Sequence, residues 1–233
     1  MAVTQASTGM IDSSAGAGSQ KASGSAWLAV AAGAIGSFMA TLDISIVNAA
    51  LPTIQGEIGA SAYAIGSGSV PYWQERLQQY GVHTGDVESR FGAEVITLRD
   101  PDGMALELVV NDAVHTPRYW AGGPVPEEHA LRGFFGVTLF ESRAAPTGQL
   151  LTGQMGYRLV DQEGDRWRYR ADSSAGGGIV DVLERPGIGF GRMGAGSVHH
   201  VAFRARHDAE ELEYQAAIRA AGFDVTPVRD RQY

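Results

Sequence analysis

From about Ser69 onward the chain sets short apolar runs between Gly, Pro and Asp, the texture of packed elements joined by tight turns. In Tyr72–Tyr80, Trp73, Leu77 and Tyr80 recur at helical spacing, and Gly81 follows as a helix stop. Glu94–Arg99 alternates as a strand. Asp100-Pro101-Asp102-Gly103 forms a turn, because Pro presets φ and Gly accepts positive φ, and Ala105–Val110 is a second strand. The same order returns downstream, with strand Phe134–Phe140, short helix Thr147–Met155 and Gly156 after it. Strands follow near Tyr157–Val160, Arg166–Arg170 and Ile179–Leu183. A further unit opens on strand Ser197–Arg204 and continues as helix Ala209–Ala221, with Asp208 as N-cap and Gly222 as stop.

Recurrence of one supersecondary unit predicts an α+β fold of repeated β-α-β-β-β modules. The pattern reads as incomplete at both ends. The first unit shows no opening strand beyond a stub at Gly68–Pro71, and only Phe223 to Tyr233 follow the last helix. Sheets with unpaired edges invite pairing between copies, so a homo-oligomer is an expected state.

Charge divides the chain. Residues 1–66 hold four charged side chains, Asp12, Lys21, Asp43 and Glu57, against 40 in the remaining 167. Residues 1–25, rich in Ser, Gly and Ala, read as a disordered tail. Residues 26–66 read as an apolar, transmembrane-like helical segment, since about 20 apolar residues span a bilayer. Residues 67–125 then form a first, partial module and 130–233 further modules, truncated at their C-terminal end. The net charge of -8 carries no basic patch, which excludes a nucleic-acid partner. No Cys is present, so disulfides and thiolate metal sites are excluded, in keeping with a cytoplasmic protein, membrane-associated if residues 26–52 touch a bilayer.

The string from Phe38 to Ser61 (FMATLDISIVNAALPTIQGEIGAS) resembles the first transmembrane helix, and its exit, of drug:proton antiporters of the major facilitator superfamily. The matching positions are Asp43, Ile46, Val47, Asn48, Ala50, Leu51 and Pro52. The resemblance implies a fused fragment or an anchor; with no second span following, it implies no transport by this chain alone.

The residues richest in chemistry are His199 and His200 in GSVHHVAFR. Neighbours on a strand point to opposite faces, so one of the pair at most enters a barrel. Periodicity groups His199 with Val201 and Phe203, and His200 with Ala202 and Arg204, which leaves the choice open. Neutral imidazole is a common ligand of borderline metals, and a structural histidine pair is the plainer alternative. His83, His115, His129 and His207 fall in loops or at a helix start and read as surface residues.

The strings SVPYWQERLQQYGV, DPDGMALELV, GSVHHVAFR and VRDRQY are similar to those of ring-cleaving extradiol dioxygenases of the hydroquinone type, within the vicinal oxygen chelate superfamily. The resemblance implies Fe(II), or Mn(II), bound by His200, with His199 and Arg231 lining the pocket of a small aromatic substrate that reacts with O₂. It also implies a triad of two His and one Glu. The other His belongs to a module whose place is taken by the antiporter-like segment, and the Glu to a strand beyond Tyr233. Glu107, in Leu106-Glu107-Leu108, is the substitute candidate for a metal ligand, against a structural carboxylate. The expectation is a dioxygenase-like protein for catechol or hydroquinone rings, impaired by missing ligands. The alternatives are a non-catalytic small-molecule-binding module of the same fold, or a transporter fragment fused to it.

Overall fold

The computed structural model describes residues 56–113, 120, 122–172, 177–189, 191, 196–198 and 200–228. Two complete β-α-β-β-β modules follow one another. The first comprises β1 (Gly56–Ile65), α1 (Val70–Gln79), β2 (Glu88–Arg90), β3 (Ala93–Arg99) and β4 (Ala105–Val110). The second comprises β5 (Gly133–Glu141), α2 (Ala145–Gly153), β6 (Tyr157–Glu163), β7 (Arg166–Ala171) and β8 (Ile179–Glu184). A last helix, α3 (Asp208–Ala220), lies beyond them.

All eight described strands join one mixed sheet in the order β2-β3-β4-β1-β5-β8-β7-β6. Each module contributes four, and the opening strands β1 and β5 meet antiparallel in the middle, with Ser61 opposite Val137. Each opening strand also runs parallel to the closing strand of its own module, β1 beside β4 and β5 beside β8. The halves are therefore equivalent by a pseudo-two-fold relation, as expected when one repeated unit pairs with itself.

Alternation along the strands separates two faces. One face is covered by helices. Against α1 pack Tyr63, Ile65, Ile96, Leu106 and Leu108, joined by Val70, Trp73 and Leu77 from the helix side. Against α2 pack Val137, Leu139, Val180, Val182 and Tyr169, with Leu151. On the other face Ala62, Ala64, Val95, Val109, Phe135 and Ile179 form a smaller cluster shared by both modules. That face is concave, because the turn after β2 reaches across to the far end of the sheet, where Phe91 N donates to Glu163 Oε1 at 2.7 Å.

Strand β1 corrects the expectation of a missing opening strand and moves the start of the first module from residue 67 to 56. Its residues GEIGASAYAI hold only two β-branched side chains, so propensity points away from a strand. Burial between β4 and β5 overrides that weakness. The misfit remains visible in Ser61 Oγ and Tyr63 Oη, both buried and without a hydrogen-bond partner among the described residues. Gly56 to Ser61, the end of the antiporter-like string, thus belongs to the sheet. Gly56–Ile65 of the expected helical segment 26–66 is therefore strand, not helix, while residues 26–55 of that segment and the expected disordered tail lie outside the described residues. No helix among the described residues is long and apolar enough to cross a membrane.

The expected strand Ser197–Arg204 is not one: its described residues, 197, 198 and 200–204, join no ladder. Val201 and Phe203 pack instead on the α2-side core, where Phe203 meets Tyr157 edge-on at 5.8 Å. The N-cap of α3 also shifts by one residue. His207 Nδ1 accepts from Glu210 N, and Asp208 is the first helical residue, at the positive end of the helix dipole.

Candidate functional site

The concave face carries a cluster of buried charge. Glu107 stands in the middle of β4, opposite Ala62 of β1 and Thr97 of β3. Its Oε1 accepts from Arg90 Nη1 at 2.6 Å. Arg90 also holds Glu88, at the rim, through Nε and Nη2. Asp181 takes the matching position in β8, opposite Thr138 of β5 and Arg168 of β7. The Arg168 fork grips both its oxygens, Nε to Oδ1 and Nη2 to Oδ2, each at 2.8 Å. Arg166 adds weaker contacts from Nη1 to Asp181 Oδ2 at 3.2 Å and to Thr138 Oγ1 at 3.1 Å. Aromatic rings flank Arg168, with Phe91 4.0 Å from its guanidinium and Phe135 5.4 Å away. A small cavity opens among Ala62, Arg90, Glu107, Thr138, Arg168 and Asp181.

Titration behaviour follows from this packing. Burial alone would lower the pKa of Arg90, but Glu107 and Glu88 hold it above its ordinary value. Arg166 falls below its ordinary value, first through burial and then through the neighbouring positive charge of Arg90. The cluster thus sets three buried or nearly buried guanidiniums against two buried carboxylates. Unpaired, any of these charges would carry a large desolvation cost, so mutual pairing is what makes the arrangement tenable.

Such a face does not fit a divalent metal. The carboxylates that could serve as ligands are committed to guanidiniums at hydrogen-bond distance. Among the described residues no three His, Asp or Glu side chains converge as a metal group would require. Glu107 is therefore an ion-pair partner in this structure. His200 is not among the residues lining the cavity beside Glu107, and its neighbours Val201 and Phe203 pack on the α2-side core. His200 is half-buried. His199 and Arg231 lie outside the described residues.

The remaining histidines divide. His83 and His207 are exposed, as expected, and His115 lies outside the described residues. His129 departs from the surface reading. It is half-buried between the modules, stacked on Tyr72 at 4.2 Å, with Nδ1 3.1 Å from Ser69 Oγ. Trp73 Nε1 donates to its carbonyl, so the connection between the modules is clasped onto α1.

Sequence reasoning missed Arg90, Arg166, Arg168 and Asp181. A usable signal existed. A lone carboxylate sits at the centre of two apolar strands, ALELVV and IVDVLE, and Arg166 and Arg168 share one face of β7. Such residues are buried only when paired.

Paired β-α-β-β-β modules sharing one concavity form a fold of the vicinal oxygen chelate type. No family model matches the chain. Over 178 residues it is 39% identical to the "Putative ring-cleaving dioxygenase MhqO" of Bacillus subtilis (strain 168), covering 76% of this chain and 56% of that protein. It is 29% identical over 185 residues to the "Chlorohydroquinone/hydroquinone 1,2-dioxygenase" of Sphingobium indicum, covering 76% of this chain and 56% of that protein. A crystal structure of a "putative dioxygenase" from Bacillus subtilis matches with a TM-score of 0.70 at 37% identity, over 77% of this chain and 57% of that one. The chain spans a little over half the length of these relatives.

Proposed function

We propose that this chain is a ring-cleaving dioxygenase-like protein for dihydroxylated aromatics of the hydroquinone or catechol type, with O₂ as co-substrate. The observation that carries the reading is 39% identity, over 76% of the chain, to a protein named as a ring-cleaving dioxygenase, with hydroquinone named for the relative at 29% identity. The paired modules support it as a scaffold. Within this reading His200 is the ligand for Fe(II) or Mn(II), and His199 and Arg231 stand beside the substrate. Glu107 is assigned to the internal ion pair with Arg90, so the carboxylate ligand of a complete site is missing from the described residues. The activity is accordingly impaired.

The whole chain, purified anaerobically and given Fe(II), tests this by metal analysis and by O₂ uptake with hydroquinone and with catechol. The expected result is iron well below one per chain and slow, diol-dependent uptake that His200→Ala abolishes. Stoichiometric iron would overturn the impairment. Uptake indifferent to His200→Ala would overturn the assignment of that residue.

A second reading is a non-catalytic binding module of the same fold. It is favoured by the concave face, which is filled with its own ion pairs. Complete absence of diol-dependent uptake selects it. The antiporter-like reading of residues 26–52 as a membrane contact rests on the resemblance of that stretch. Alkaline extraction of membranes tests it, since a chain wholly released into the supernatant removes it.

A further inference from the structure

The turn between β2 and β3 is built on an unusual residue. Phe91 has φ of 48°, the only non-Gly positive φ among the described residues, and Gly92 follows at 74°. Two successive positive φ values make a hairpin turn of the kind that favours Asn or Gly at its first position; a bulky side chain there is strained. Strain of this sort persists only where surroundings hold it, and it marks sites where a conformation is used.

What holds Phe91 lies entirely in the other module. Its N–H donates to the Glu163 carboxylate at the end of β6, at 2.7 Å. Its ring covers the Arg168 guanidinium at 4.0 Å. The turn at one end of the sheet is thereby fastened to the strands at the other end. Arg168 in turn lines the cavity that contains Ala62, Arg90, Glu107 and Asp181. Phe91 thus lies over the guanidinium that forms one wall of the buried charge cluster. Glu163 is exposed and Phe91 half-exposed, so the hydrogen bond that fastens the turn is solvated and correspondingly weak, while the ring contact is to the buried Arg168. Local strain on one side and a solvated hydrogen bond on the other give a closure that opens without unfolding the sheet.

We infer that Phe91 is a latch over Arg168, a wall of the concave cavity, and that its release from Glu163 and Arg168 is how a small molecule reaches the Glu107–Arg90–Arg168–Asp181 cluster. The inference does not depend on ring cleavage.

The chain has no cysteine, so a single introduced thiol reports access without background. Ala62→Cys places one on the cavity wall, and Ala64→Cys places one on the same face of β1 but outside the cavity lining. Iodoacetamide alkylation, followed by mass spectrometry on the folded full chain, measures the rate at each thiol. Adding Phe91→Gly removes the ring and suits the positive φ. It should speed alkylation of the Ala62→Cys chain roughly tenfold and leave the Ala64→Cys chain unchanged. Glu163→Gln, at an exposed position that does not threaten folding, should speed the cavity-wall thiol in the same direction by a smaller factor. Unchanged rates at the cavity-wall thiol in both variants would overturn the inference. So would equal acceleration of the two thiols, which would mean global loosening.

Discussion

Glu107 and Asp181 are counterparts: each is the third residue of its module's closing strand, each faces the shared concavity, and each carboxylate is held by an arginine. The matching position follows from the repeat, but the partners do not: Glu107 is held by Arg90 of β2, whereas Asp181 is held by Arg168, directly opposite it on β7. The pairing explains the electrostatic character of the face. Where two carboxylates face a common cavity, guanidiniums satisfy them, and each module supplies its own.

Breaking the Glu107 pair from one side should be costly. Arg90→Met leaves a buried carboxylate without a partner, and the expected loss is about 3 kcal/mol. The double variant Arg90→Met/Glu107→Leu should recover most of that loss, since it removes both charges. Urea unfolding midpoints of the two single variants and the double variant measure the coupling. Glu88→Gln, half-exposed at the rim, should cost less than about 1 kcal/mol.

Glu141 makes stability pH-dependent in an unusual direction. Its carboxyl, 3% exposed at the end of β5, accepts from Thr147 Oγ1, and no ion pair among the described residues reaches it. Burial pushes its pKa from 4.5 to about 7, with the Thr147 hydrogen bond opposing. The folded state then holds a proton that the unfolded chain releases, so this contribution is full below about pH 4.5. It is lost as pH rises through about 7. The span corresponds to roughly 3 kcal/mol. Unfolding curves for wild type and Glu141→Gln across that window should diverge as pH rises, with the variant the flatter of the two.

Gly136 is fixed by close approach of the backbone. A Cβ there would fall on the carbonyl oxygen of Ile179, in the parallel pairing of β5 with β8. Gly136→Ala should cost roughly 3 kcal/mol, because the obstacle is main chain and cannot rotate away. Thermal unfolding by circular dichroism reads this directly. Gly153→Ala, in α2 with open space around it, should be neutral or stabilising.

Metal removal should leave the paired modules intact. Their concave charges are satisfied by one another, so dialysis against EDTA should change neither the far-UV spectrum nor the urea midpoint. A loss of stability on chelation, restored by Mn(II), would contradict the account of the cluster given above.

Much of the architecture was legible locally. Helix α1 showed in Trp73, Leu77 and Gly81, the β3–β4 hairpin in Asp100 to Gly103, and the repeat in the return of the same order after Phe134. Each signal is a matter of neighbours in sequence: side-chain period, turn chemistry and helix stops. The candidate site was less legible. Glu107 stood out as a carboxylate within an apolar strand, but nothing near it in sequence named Arg90 as its partner. His200 was read on a strand, but the described residues around it join no ladder.

The chain's own order of residues therefore established the recurring module, its turns, the absence of thiol chemistry and the net negative charge, since all of these depend on residue type and short spacing. Folding in three dimensions settled the rest. It made a strand of the Ala- and Gly-rich β1 by burying it between β4 and β5, and left Ser197–Arg204 outside the ladders. It paired Glu107 with Arg90 and carried Phe91 across to Arg168. Those outcomes depend on which distant segment arrives alongside, and on the cost of burying charge without a partner.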